Sequence, residues 1–197
     1  MAERISIPED ITVVVLDLDG TIYRKPRMAW YMLCKQWRHL PSLIAERHWR
    51  KAQRAALKAG ASMPPMPVSE QWYRNSYLPS MVQIIAGHYK PQPWLQPLID
   101  ECKQRKIKVL ILSDYEAAID KLHALGINPA AFDAILSTGD FATIKPDPRL
   151  GDILAQHITN HAAVNWQHVL FIGDRPDTDG QLAQALDAQF HLVGKSD

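Results

Sequence analysis

The hydrophobic positions of this chain form short continuous runs that alternate with longer stretches of helical spacing. The first run is followed by Asp17, the second by Ser113 and the fourth by Gly173-Asp174. The first two are rich in β-branched side chains, as is typical of strands buried on both faces of a parallel sheet. The predicted strands are Ile11–Leu16, Ile107–Leu112, Ala134–Leu136, Val169–Ile172 and Phe190–Val193. The helical patterns between them are Trp94–Lys106, Glu116–Leu125, Arg149–His161 and Gly180–Asp187. This alternation predicts an α/β fold with a doubly wound parallel sheet.

The segment 24–90 interrupts the alternation, because it contains no strand pattern and is too long for an ordinary loop. Its helical patterns are Met28–Leu40, Ser42–Ala59 and Glu70–His88. Pro41 suits the first turn of the second helix, and a break is predicted in the third near Pro79. We therefore predict an α/β core of residues 1–23 and 91–197 that carries an inserted helical domain of residues 24–90.

Composition and hydropathy narrow the class of protein. With 47% hydrophobic and 22% charged residues, the chain has the composition of a folded globular protein. No basic segment followed by an apolar stretch stands at the N-terminus, as a signal peptide would require. The longest apolar runs, Val13–Leu16 and Met28–Cys34, are far shorter than the roughly 20 residues that cross a bilayer. These features predict a cytoplasmic protein without a transmembrane segment.

Polar side chains follow the predicted strands at the points where those strands end. They are Asp17 and Asp19, Ser113, Lys145, and Asp174, Asp177 and Asp179. Ligands of open α/β sheets bind at the carboxyl ends of the strands, so these side chains are expected to converge. Crowded carboxylates need a cation, and a site made only of oxygen ligands favours Mg²⁺. A metal held by carboxylates beside a lysine is a suitable receptor for a phosphate dianion.

Four motifs in this order resemble those of the haloacid dehalogenase superfamily. They are Asp17-Leu18-Asp19-Gly20-Thr21, Ser113 in Ile111-Leu112-Ser113-Asp114, Lys145 in Ile144-Lys145-Pro146-Asp147-Pro148, and Gly173-Asp174-Arg175-Pro176-Asp177-Thr178-Asp179. The resemblance covers essentially the whole chain outside the insertion. It implies a Rossmann-like core, an inserted helical cap that selects substrates, and a phosphatase that uses Mg²⁺. Asp114 departs from the asparagine frequent at its position in related phosphatases, and its role stays open.

The resemblance also implies the role of each motif residue. Asp17 is expected to be the nucleophile and Asp19 the general acid and base, with both of them ligating the metal, Asp19 through its backbone carbonyl. Asp174 is expected to bind the metal directly, and Asp179 to act through water. Ser113 and Lys145 are expected to bind the phosphoryl group of the substrate.

Each motif residue also has a plainer interpretation. Asp17 and Asp19 could form a turn before Gly20, Ser113 could cap a helix, and Lys145 could be a solvated loop lysine. Asp177 competes with Asp179 as the second acid of the last motif.

The charge of the chain is unevenly distributed. Residues 24–90 hold 12 Lys or Arg against two acidic residues, a net charge of +10, whereas the remainder of the chain has −9. Four of the six tryptophans also lie in this segment, namely Trp30, Trp37, Trp49 and Trp72. Such a surface would suit a polyanionic small substrate, a nucleic acid or an anionic membrane. Alternatively, Arg47, Arg50, Lys51, Arg54 and Lys58 form a solvated helix face while the tryptophans form a small core.

Together these observations predict a Mg²⁺-dependent phosphomonoester hydrolase. It would act through an aspartyl-phosphate on a small phosphorylated, anionic metabolite, while contact with a nucleic acid or membrane is the less favoured use of the basic segment. A phosphomutase uses the same residues, and a non-catalytic binding module could retain the fold. Dehalogenation is disfavoured, because it needs neither Mg²⁺ nor the second aspartate, Asp19.

Overall fold

A computed structural model describes residues 5–159 and 163–194 of the chain, which form a parallel sheet with helices on both faces. The strands are β1 Val13–Leu16, β2 Lys108–Ser113, β3 Ala134–Ser137, β4 Val169–Gly173 and β5 Gln189–Leu192. Their order in the sheet is β3-β2-β1-β4-β5, and every pair of neighbours is parallel. The strands β2 and β3 lie on one side of β1, whereas β4 and β5 lie on the other, so the order of strand addition reverses between β1 and β4. Open α/β sheets bind ligands in the crevice at such a switch point. The predicted doubly wound sheet is confirmed.

Among the described residues, helices occupy both the segments between strands and the insertion. They are α1 Met28–Lys35, α2 Leu40–Lys58, α3 Glu70–Trp72, α4 Leu78–His88, α5 Leu95–Arg105, α6 Ala118–Ala124, α7 Leu150–Thr159 and α8 Gln181–Ala185. A π-helical turn, Pro176–Gly180, precedes α8 and occupies the predicted start of that helix. The predicted end of α7 at His161 lies outside the described residues.

The central position of β1 in the sheet explains why its sequence has no polar residue. All four of its residues are buried. Val14 and Leu16 belong to the apolar cluster on one face of the sheet, whereas Val13 and Val15 belong to the cluster on the other. Because successive side chains of a strand point to opposite faces, a central strand covered on both sides must be apolar throughout.

The insertion is helical, as predicted, but two details differ. Pro41 lies in the first turn of α2 as expected. The predicted break near Pro79 is wrong, because helical structure runs on through a π-helical turn, Tyr73–Tyr77, into α4. Proline has no N–H to donate, and a wider turn before it lets the chain continue without an α-helical bond at that position. The boundaries of residues 24–90 as a separate domain stay a prediction.

The tryptophans of the insertion do not form a core of their own. Trp30 and Trp37 are 60% and 63% exposed, which contradicts that part of the alternative interpretation. Instead, Tyr77, Met81 and Ile85 of the insertion are buried in the same apolar cluster as residues of β1 and β2. Within the part of the chain that the structure describes, no helix has the length and apolarity to cross a membrane.

Candidate active site

The predicted polar residues meet at the carboxyl edge of the sheet. Asp17 and Asp19 leave β1, and Ser113 ends β2. The loop after β3 supplies Lys145, and β4 leads directly into Asp174. The side chains of Asp17, Asp19, Ser113, Lys145 and Asp179 are buried, whereas that of Asp174 is partly exposed. The structure therefore brings together all six residues that the motifs indicated.

Lys145 lies at the centre of the site. Its Nζ donates to Asp17 Oδ1 and to Asp179 Oδ1, each at 2.6 Å, and to the carbonyl oxygen of Leu112 at 3.0 Å. Burial alone would lower the pKa of this ammonium, but the charges of Asp17 and Asp179 hold that pKa well above its usual range. Lys145 is therefore a permanent buried cation, and the interpretation of a solvated loop lysine is wrong.

Three carboxylates crowd around this one lysine. Oxygen atoms of Asp17, Asp174 and Asp179 all lie within 4.8 Å of one another. Burial and the charge of Asp17 raise the pKa of Asp179 to about 7 despite Lys145, and the same two causes raise the pKa of Asp174. The charges of Lys25, Lys145 and Arg175 act against this rise at Asp174 without cancelling it. An all-oxygen donor set of this kind fits a Mg²⁺ ion.

Asp177, the other acidic candidate of the last motif, lies apart from this cluster. Its side chain is exposed and forms an ion pair with Arg175 Nη2 at 2.5 Å. Asp179, two positions later, is 3% exposed and contacts Lys145. The π-helical turn Pro176–Gly180 explains the difference, because it directs one side chain outward and the other into the site.

Two glycines let the carboxylates come this close to the backbone. Gly20 has φ +115°, and a Cβ at this position would collide with the carboxylate of Asp174. A Cβ on Gly173 would lie 2.5 Å from Cγ of Asp179. Glycine is thus required at Gly20 both by the backbone conformation and by the approach of a functional side chain.

The side chain of Asp19 is held by three donors. Tyr23 donates its hydroxyl to Oδ1 at 2.5 Å. Lys121 Nζ and Ser113 Oγ donate to Oδ2 at 2.7 and 3.2 Å. Burial by itself would raise the pKa of Asp19, but the charges of Lys121 and Lys25 lower it to about 2. Asp19 is therefore ionised in this arrangement and must gain a proton before it can donate one.

Lys121 is a site residue that the motifs do not indicate. It is fully buried on α6, and its ammonium also lies 4.9 Å from the ring centroid of Tyr115. The sequence does contain a signal for it. Lys121 shares the buried face of its helix with Ala118, Leu122 and Leu125, at the spacing of an apolar stripe. A lysine in such a stripe requires a buried partner, which here is Asp19.

We expect the Lys121→Met variant to lose about 3 to 5 kcal/mol of unfolding free energy, because it leaves the Asp19 carboxylate buried without its cation. Urea denaturation measures this loss, with the exposed Lys103→Met on α5 as the matched control. Adding Asp19→Asn to Lys121→Met should recover part of the loss. Equal stability of the two lysine variants would contradict a strong Lys121–Asp19 pair.

Asp114, whose role the sequence left open, connects three parts of the site. Its Oδ1 accepts from the backbone N–H of Lys145 at 3.0 Å, and its Oδ2 pairs with Arg54 of α2 at 3.3 Å. Its backbone carbonyl accepts from Arg50 Nη1 at 2.8 Å. An aspartate rather than an asparagine at this position thus joins the core to a basic helix of the insertion.

The basic face of α2 is only partly solvated. Arg50 is buried, with bonds to Glu46 at 2.7 Å and to the hydroxyl of Tyr73 at 2.9 Å. The solvated-face interpretation is therefore wrong for Arg50. Arg47 and Lys51 are exposed, and both line a cavity of about 190 Å³ together with the acidic cluster.

Comparison with protein families supports the assignment that the motifs suggested. A family model described as haloacid dehalogenase-like hydrolase matches residues 11–187. A comparison with curated proteins finds no significant match.

Solved structures share the fold at low sequence identity. A β-phosphoglucomutase from Clostridium difficile is similar with TM-score 0.64 and 22% identity, over 94% of this chain and 85% of that one. A predicted phosphoglycolate phosphatase from Haemophilus somnus has TM-score 0.65 and 15% identity, over 92% and 84%. The L-2-haloacid dehalogenase from Xanthobacter autotrophicus has TM-score 0.63 and 19% identity, over 93% and 77%. At these identities the likeness concerns the fold.

Proposed function

The chain belongs to the haloacid dehalogenase-like hydrolases, and on this basis we propose that it is a Mg²⁺-dependent phosphomonoesterase with Asp17 as the nucleophile. One observation carries the proposal. The carboxylate of Asp17 is held between Lys145 at 2.6 Å and the hydroxyl of Thr21 at 2.9 Å, within reach of two further carboxylates. Such a site can accept a phosphoryl group and stabilise the charge that develops on it.

In the first step, an oxygen of Asp17 attacks phosphorus in line, and the ester P–O bond breaks as the alcohol leaves with a proton. In the second step, water attacks the aspartyl-phosphate and releases inorganic phosphate and the free carboxylate. Lys145 and Ser113 bind the phosphoryl oxygens. A Mg²⁺ ion held by Asp17, Asp174 and the carbonyl of Asp19, with Asp179 acting through water, would neutralise charge on the phosphate.

Asp19 transfers the protons in this scheme. It donates to the leaving alkoxide and later accepts a proton from the attacking water. Because Lys121, Tyr23 and Ser113 all donate to it at rest, its side chain must exchange one of these bonds for the substrate oxygen. Lys121 thereby positions Asp19, with its ammonium 2.7 Å from Oδ2.

The inserted helices act as the cap in this proposal, and their charge recruits an anionic substrate. Arg50 and Arg54 already have acidic partners, so the exposed Arg47 and Lys51 remain to attract it. A second negative group on the substrate would bind there, which keeps a polyanionic metabolite among the candidates.

A cytoplasmic location stays a prediction from the sequence.

We expect Arg47→Gln/Lys51→Gln to lower kcat/KM about tenfold at low salt, with kcat little changed, because exposed charges act mainly on encounter. The loss should shrink at high salt, since screening acts over about 8 Å at physiological ionic strength. Steady-state kinetics at two salt concentrations measure it. Arg38→Gln/Lys58→Gln is the matched control, since neither of its residues lines the cavity of the acidic cluster. Equal losses in both variants would show a nonspecific effect of charge.

The proposal is tested by screening phosphate esters with Mg²⁺, with Asp17→Asn as the inactive reference. The β-phosphoglucomutase fold neighbour makes a phosphomutase the second candidate. A mutase would need a bisphosphate activator and would convert one sugar phosphate into another, whereas a phosphatase releases inorganic phosphate. A binding module would do neither.

A further inference from the structure

A second and larger cavity opens beside the acidic cluster. It measures about 650 Å³, the size of a pocket for a small organic ligand. Both cavities are lined by Asp19, Lys25, Glu46, Arg47 and Tyr115. The larger cavity is therefore an extension of the phosphoryl site, on the side of the general acid, where the leaving group of a substrate would lie.

The charge of this cavity is confined to one end. Its charged lining residues are Asp19, Lys25, Glu46 and Arg47, and all four also line the cavity of the acidic cluster. Apart from Tyr23 and Tyr115, the other lining residues belong to α1, α2, the π-helical turn Tyr73–Tyr77 and α4, and most of them are apolar. These include Met28, Met32, Leu43, Ile44, Tyr77 and Met81. A molecule bound across both cavities thus meets charge around its phosphoryl group and a mostly apolar wall around the remainder.

The apolar wall continues to the surface. Leu40 and Ile44 on α2 are 43% and 48% exposed, and Trp30 on α1 is 60% exposed, although all three line the cavity. Large apolar side chains grouped around the mouth of a cavity indicate a ligand-binding groove. Methionine is well suited to such a wall, because its flexible side chain adapts to ligands of different shape.

We propose that the substrate is a phosphomonoester of an apolar alcohol, whose hydrocarbon chain or ring occupies this cavity. The inference rests on the proposed phosphatase function and names the leaving group. Water and the ester yield the free alcohol and inorganic phosphate. A sugar phosphate fits poorly, because its hydroxyl groups would be buried against this wall with few polar partners.

A series of straight-chain alkyl phosphates, from ethyl to octyl, tests the proposal. We expect kcat/KM to rise about two- to fourfold for each methylene until the cavity is full, as burial of hydrocarbon predicts. Glycerol phosphate and glucose 6-phosphate should be poorer substrates than hexyl phosphate. A flat series, or a preference for the polar esters, would overturn the apolar leaving group while leaving the phosphatase function intact.

Variants at the mouth of the cavity provide a second readout. Leu40→Glu and Ile44→Glu change partly exposed residues, so the fold should tolerate them. Each should lower the ratio of octyl to ethyl phosphate kcat/KM by at least about tenfold. Trp37→Glu is the matched control, because Trp37 is another large exposed apolar residue of the insertion but does not line the cavity. An unchanged ratio in the cavity variants would contradict the proposal.

Binding measured without turnover separates this inference from the proposed function. Octylphosphonate cannot be hydrolysed, and calorimetry with Mg²⁺ present should show that it binds at least about tenfold more tightly than ethylphosphonate. Equal affinities would refute the apolar site even if the protein proved to have no phosphatase activity. A different result would be a loss of activity in Trp37→Glu that is confined to phosphate esters embedded in vesicles. In that case the exposed apolar residues of the insertion would bind a membrane surface, and the proposal of an apolar leaving-group cavity would be overturned.

Discussion

Replacing Asp17 by asparagine is expected to lower phosphatase turnover by several orders of magnitude. The amide keeps the shape of the side chain and can still accept a hydrogen bond from Thr21, which lies 2.9 Å from Oδ2. It lacks the anionic oxygen that attacks phosphorus and pairs with Lys145. Without the nucleophile the covalent route is closed, and only slow direct hydrolysis remains.

The measurement is steady-state turnover of the best phosphate ester, with the unfolding temperature recorded for each variant. Asp177→Asn is the matched control, because this aspartate belongs to the same set of motifs but is exposed and paired with Arg175. It should remain within a few-fold of the unmodified protein. If a folded Asp17→Asn protein hydrolysed the ester at the unmodified rate, covalent catalysis by Asp17 would be excluded.

Removal of Mg²⁺ should reduce activity to background, and its return should restore it. The carboxylates of Asp17, Asp174 and Asp179 lie within 4.8 Å of one another, and a Mg²⁺ ion held among them would offset their repulsion of a phosphate dianion. Activity after EDTA treatment and after titration with MgCl₂ measures the dependence. Full activity in excess EDTA would be incompatible with the proposed mechanism.

The ligand set can be tested independently of turnover. Asp174→Asn should weaken Mg²⁺ binding by at least about tenfold in calorimetry, whereas Asp177→Asn should leave it unchanged. A crystal soaked in Mg²⁺ should show the ion about 2.0–2.1 Å from an oxygen of Asp174. An ion bound elsewhere, with Asp174 unliganded, would overturn the assignment.

The strands and the convergence of the motif residues followed from local sequence patterns. A short apolar run that ends in a polar residue marks both a buried strand and the position of its carboxyl end. Once the strands are parallel, their ends lie at one edge whatever the details of the packing. This is why Asp17, Ser113 and Asp174 could be placed together before any contact was known.

Other features depend on partners that are distant in the sequence. Lys121 lies 102 positions from Asp19, and Arg54 lies 60 positions from Asp114. A helix pattern shows that Lys121 is on the buried face but not which carboxylate it meets. The break predicted near Pro79 is wrong for a different reason. The π-helical turn that precedes the proline has no clear signal in the local sequence.

The sequence alone thus determined the succession of strands and helices along the chain, the helical nature of the insertion and the set of residues at the carboxyl edge. These features depend on the hydrophobic period and on the direction of the strands. The tertiary structure decided which charges of the insertion are buried, which tryptophans are exposed and that a mostly apolar cavity opens beside the acidic cluster. These features depend on the angles and distances at which α1, α2 and α4 pack over the sheet. Many combinations of side chains satisfy the same helical period, so the period does not specify them.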